Sequence, residues 1–126
     1  MWLFTNRGFL SIVENRDNPD ELLVRARYKG DIEAHFGGLL DADLEEVCME
    51  IVETNDADYR FRVFLPRKNV AAQLHGFVNS IDYTNFKNSC SFNSGVSSAE
   101  SVKSRALFRV WDTMKCSQEG LANMEH

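Results

Sequence analysis

Four arginines stand at alternating positions in two short apolar runs: Arg25 and Arg27 in ELLVRARY (21–28), Arg60 and Arg62 in YRFRVFL (59–65). A guanidinium is a permanent cation whose donors match the oxygens of a carboxylate or a phosphate. Side chains alternate across a strand, so each pair shares one face of its run. With the two runs side by side, the four guanidinium groups form one basic patch on an acidic protein. Such a patch grips an acidic partner surface or a phosphate. The competing arrangement is self-neutralisation. Glu46 and Glu50, in an alternating run over 46–53, point to the same side and can pair with Arg60 and Arg62 across strands.

A second constellation is IDYTNFK (81–87), with Asp82, Tyr83, Asn85 and Lys87 at a predicted helix end. A Lys–Tyr–Asp group can do acid/base work. The same residues also serve a turn, Asp82 and Asn85 accepting from backbone amides and Tyr83 and Phe86 anchoring the loop. The following stretch NSCSFNSGVSS (88–98) sets Phe92 among small polar residues, as a partner-binding knob or a plug under the helices. Tyr83, Lys87 and Phe92 are therefore the candidate binding residues of this loop. His35 falls on the apolar stripe of a predicted helix and reads as a packed histidine rather than a ligand. Cys48, Cys90 and Cys116 form no CxxC motif and no Cys/His cluster, and a Cys48–His75 or Cys90–His75 nucleophile pair is not selected by spacing. No phosphate-binding glycine motif occurs. No metal and no cofactor is expected.

The chain has 126 residues, of which 44% are hydrophobic and 26% charged. That suits one domain, with a core large enough to fold without disulfide or metal. The net charge of −5 disfavours general affinity for nucleic acid or anionic membranes, leaving room only for a local basic face. Widely spaced thiols suit a reducing cytoplasm, and no apolar run is long enough to span a membrane.

The elements that must position these groups follow from hydrophobic period. Residues 2–5 and 9–14 read as a hairpin closed by Asn6, Arg7 and Gly8, and NRDNPD (15–20) as a polar turn into the central strand 21–28. Asp31 is placed to cap a helix over 32–40, with Ile32, His35, Phe36 and Leu39 on one stripe. Strands 46–53 and 59–65 follow, with Tyr59, Phe61, Val63 and Leu65 toward the core. A helix over 68–80 carries Val70, Leu74, Phe77, Val78 and Ile81. Ser97 and Glu100 form a capping box opening a last helix to about Ser117, with Trp111 on its buried stripe. The tail 118–126 reads as frayed. A right-handed crossover sets 59–65 beside 21–28. The expected fold is α+β, a single domain over 1–117 with a ferredoxin-like core, an antiparallel-rich sheet, an N-terminal hairpin and helices on one face. Strand 9–14 takes the place of that core's missing last strand.

Landmarks along the chain resemble a family of small uncharacterised bacterial and phage proteins: MWLFT with Gly8-Phe9 and Ser11, DNPD leading into LVRAR, Asp58-Tyr59, DYTNFK, and Val110-Trp111-Asp112 with Met114. The likeness covers about residues 1–115. It implies a bacterial or phage origin and no defined activity. The family's basic and histidine residues near the loop after Lys87 are replaced here by Asn, Ser and Cys. Three function classes remain. The first is a non-enzymatic module that binds a protein partner, such as a phage or mobile-element inhibitor of a host defence complex, in the manner of anti-CRISPR proteins. The second is a nucleic-acid or nucleotide binder using the arginine face. The third is a small enzyme built on Asp82, Tyr83 and Lys87 or on a Cys/His pair. A homodimer is compatible with all three.

Overall fold

A computed structural model describes residues 1–40, 49–90 and 98–124. Its elements are β1 (Trp2–Thr5), β2 (Gly8–Asn15), β3 (Asn18–Ala26), α1 (Lys29–Leu40), β4 (Val52–Glu53), β5 (Phe61–Pro66), α2 (Arg67–Asn79), α3 (Phe86–Ser89) and α4 (Ser98–Met124). The chain divides into two compact units, residues 1–84 and 85–126.

The first unit is a five-stranded sheet in the order β1-β2-β3-β5-β4, every neighbouring pair antiparallel. The expected neighbours β3 and β5 do pair, Val24 opposite Val63 and Arg25 opposite Arg62. The architecture is α+β. Its strand order is not the simple ferredoxin order: the outer place beside the central strand is taken by β2, and β1 extends the sheet beyond it.

The hairpins form for local reasons. Gly8 closes the β1–β2 turn at φ +152°, where other residues are strained. A Cβ on Gly8 would also meet the Asp31 carboxyl at 2.5 Å. The second turn is tighter than expected. Only Arg16 and Asp17 lie between β2 and β3, and the Asn15 and Asn18 side chains each accept from the backbone N–H two residues on, at 3.0 Å.

One sheet face carries the core. Leu10 and Ile12 of β2, Val24 and Ala26 of β3, and Val63 and Leu65 of β5 meet Ile32 and Phe36 of α1 and Val70 of α2, all buried. Period-2 strands and a helical i, i+4 pair account for these positions. Asp31 does not cap its own helix as expected. Helix α1 starts earlier, at Lys29, and the Asp31 carboxylate accepts from the Phe9 N–H at 3.3 Å, tying α1 to β2. His35 is packed, as its stripe position implies. Its Nδ1 donates to the Asp31 carbonyl at 2.6 Å and its Nε2 meets the Thr5 hydroxyl.

Three expectations change. The strand expected over 46–53 is present as Val52–Glu53, and 41–48, with Glu46 and Cys48, lie outside the described residues. Val78 and Ile81 do not join the α2 stripe. They are 66% and 53% exposed, because Val70, Leu74 and Phe77 already fill the arc that faces the sheet. Helix α4 continues to Met124 rather than ending near Ser117, and Ser97 of the proposed capping box lies outside the described residues.

In the second unit Asn85 caps α3, its side chain accepting from the Asn88 N–H at 3.0 Å. Trp111 is 43% exposed, against the expected core role. Its ring is covered instead by cations, Lys87 Nζ at 4.2 Å and Lys115 Nζ at 5.4 Å from the centroid.

Candidate functional site: the open sheet face

Residues directly opposite in antiparallel strands share a sheet face. The register therefore draws one row across all five strands on the face away from α1 and α2. It runs Trp2–Ser11–Arg25–Arg62–Val52. On one side lies Val13–Leu23–Phe64, and on the other Phe4–Phe9. Along this face Trp2 is 70% exposed, and Phe4, Val52 and Phe64 are exposed as well.

Arg25 and Arg62 sit at the centre of that row, facing each other across the two middle strands. Arg25 donates to the buried Ser11 hydroxyl at 2.9 Å, and Arg62 makes only a long contact to the Tyr59 carbonyl at 3.4 Å. The Nε atoms of both are sealed from solvent without an acceptor. Among the described residues no carboxylate comes within ion-pair range of Arg25, Arg27 or Arg62. Two like charges placed opposite each other oppose folding, and a buried donor without an acceptor is a further cost.

Tyr59 organises this cluster. Its ring was expected in the core, but β5 begins only at Phe61, so the strand alternation does not reach it. It is 9% exposed and lies under two guanidinium groups, Arg25 at 4.8 Å and Arg27 at 4.4 Å from its centroid. Arg27 also reaches over Phe9, at 5.6 Å. These cation–π contacts hold the two arginines side by side without neutralising them.

Arg60 leaves the patch. Its Nε pairs with Glu53 at 3.0 Å, and it donates to the Asn55 side chain at 3.2 and 3.1 Å. It too precedes β5, in the turn after β4, where Glu53 is its ion-pair partner. The four-arginine ladder thus becomes a trio, Arg25, Arg27 and Arg62, with one self-neutralised outlier. Phe64 faces away from the core with Arg62, as its place in the alternation implies, whereas Tyr59, Ser11 and Trp2 were missed as companions of the trio. Strand parity, counted through the β1–β2 and β2–β3 registers, would have placed Ser11 and Trp2 on this face.

The loop candidates are not gathered in one unit. Tyr83 belongs to the first and Lys87 to the second, while Phe92 lies outside the described residues. Tyr83 lines an open groove of about 450 Å³ beside β1, with Leu3, Thr5, Arg7 and Phe77. Arg7 is held there by a bond to the Ala34 carbonyl at 3.2 Å and by the Phe77 ring. Cys90 is buried, its thiol donates to the Phe86 carbonyl at 3.3 Å, and burial pushes its pKa up, away from nucleophile chemistry. His75 is in the other unit and bonds Asn79. Among the described residues no group of three or more metal-ligating side chains converges, and no helix is long and apolar enough to cross a membrane.

Comparison with models of known protein families, with curated proteins and with solved structures finds no match to this chain.

Proposed function

We propose that this chain is a non-enzymatic binding module that docks a protein partner through the open sheet face. The observation that carries the reading is the opposed pair Arg25 and Arg62, each with a sealed, unpartnered Nε and, among the described residues, no carboxylate within ion-pair range. A partner carboxylate set between the two guanidinium groups would offset their mutual repulsion. The surrounding residues have the composition of an interface centre, since Trp, Tyr and Arg dominate binding energy where water is excluded. Trp2, Phe4 and Phe64 supply the apolar surround. A net charge of −5 favours a protein carrying a few acidic residues over a nucleic-acid polyanion. We read β3-α1-β4-β5-α2 as a ferredoxin-like core in which β2 replaces the last strand, with the arginines on the face away from α1 and α2. Action in a bacterial cytoplasm, as an inhibitor of a host complex, is the setting this module fits.

The test is affinity capture from a bacterial host with the full chain and with an Arg25→Gln/Arg62→Gln variant, read by mass spectrometry. A protein retained by the first and lost by the second, with the fold intact by circular dichroism, is the expected result. Equal capture by both removes the arginine face from the reading. Binding of single-stranded nucleic acid at low salt, falling steeply as salt rises, would assign the face to the nucleic-acid class instead.

A further inference from the structure

The two edges of the sheet differ. Strand β4 is two residues long and carries Glu53 paired to Arg60, a short and charged edge of the kind that resists pairing. Strand β1, WLFT, has no charge, no proline and no bulge. Its outward groups can be assigned. Met1 and Ile12 exchange both backbone bonds, at 2.8 Å each. In an antiparallel ladder bonded and non-bonded pairs alternate. Leu3–Leu10 is then a bonded pair, while the N–H and C=O of Trp2 and Phe4 point away from β2. Apolar side chains lie on both sides of this edge, Trp2 and Phe4 on the open face, Val78 and Ile81 in the groove with Leu3, which Arg7 and Asp82 also line.

We propose that β1 pairs antiparallel with β1 of a second copy of this chain, about a two-fold axis beside Leu3. The free groups are self-complementary in that register. Trp2 of each copy faces Phe4 of the other as a bonded pair, giving four new backbone bonds. Leu3 meets Leu3 as a non-bonded pair with Cα atoms about 4.5 Å apart. The open faces join into one sheet that presents both arginine trios on the same side. The uncharged strand meets only its own copy, as an isologous interface requires. This dimer is independent of the arginine-face reading.

The experiment is a concentration series of the full chain by sedimentation velocity, alongside Trp2→Pro, Leu3→Cys and Arg62→Met. The unsubstituted chain and Arg62→Met are expected to dimerise alike. Trp2→Pro removes an outward donor and leaves the β1–β2 bonds, so the dissociation constant should rise roughly tenfold or more. Leu3→Cys should give a covalent dimer on mild oxidation, the bond mapping to the introduced thiols, since their separation suits a disulfide. If Trp2→Pro fails to fold, the Leu3→Cys cross-link decides alone. A monomer throughout, or a dimer indifferent to Trp2→Pro and uncross-linked in Leu3→Cys, overturns the proposal.

Discussion

Replacing Arg62 by Met should make this protein more stable. The substitution keeps an unbranched stem in the half-buried site and removes the guanidinium. Three contributions set the sign. Removing a like charge directly opposite Arg25 gains about 0.2–1 kcal/mol. Removing the sealed, unpartnered Nε gains about 1 kcal/mol, the low end for a buried donor because the residue is only half covered. Against these, the 3.4 Å contact to the Tyr59 carbonyl is lost, worth about 0.5 kcal/mol at that length. The net is about 1 kcal/mol in favour of Arg62→Met. With a urea slope of about 2 kcal/mol per molar, the unfolding midpoint should rise by about 0.5 M. Added sodium chloride should also stabilise the unsubstituted chain more than the variant, since only the former has the repulsion to screen. A midpoint that falls by a similar amount would refute the reasoning. It would mean that Arg62 is satisfied within the fold and is not held ready for a ligand.

Two further outcomes follow from single positions. Gly8→Ala meets both a positive φ and the Asp31 carboxyl, and should cost roughly 2–4 kcal/mol by urea unfolding, with loss of the bond that ties α1 to β2. At mildly alkaline pH iodoacetamide should modify exposed Cys116 well before Cys90, followed by peptide mass spectrometry. Burial raises the Cys90 pKa, so its thiolate fraction at any given pH is reduced, and its reaction should catch up as pH rises further.

The core was legible because it is written in short periods. Leu10 and Ile12, Val24 and Ala26, and Val63 and Leu65 each follow the two-residue alternation, and Ile32, His35 and Phe36 the helical one. Alternation also put Arg25 and Arg62 on the opposite face, while Arg27, just past the end of β3, joins them over the Tyr59 ring. The reading failed where a residue sits just outside an element. Tyr59 and Arg60 precede β5, and once the strand ends parity no longer governs direction, so one ring turned under the arginines and one guanidinium turned to Glu53. Trp111 failed for another reason. A stripe on a helix shows which residues could be buried, but not whether a partner surface covers them.

By itself, then, the order of residues determined the hairpin turns and the apolar side of each arginine-bearing strand, since these are set by neighbours a few positions apart. Register and edges belong to tertiary structure. Only the pairing of five strands brought Trp2, Ser11, Arg25, Arg62 and Val52 into one row, and only the sheet order set β1 at an edge. Contacts between residues far apart in the chain depend on how strands align, and one residue of slip would send every one of those side chains to the other face.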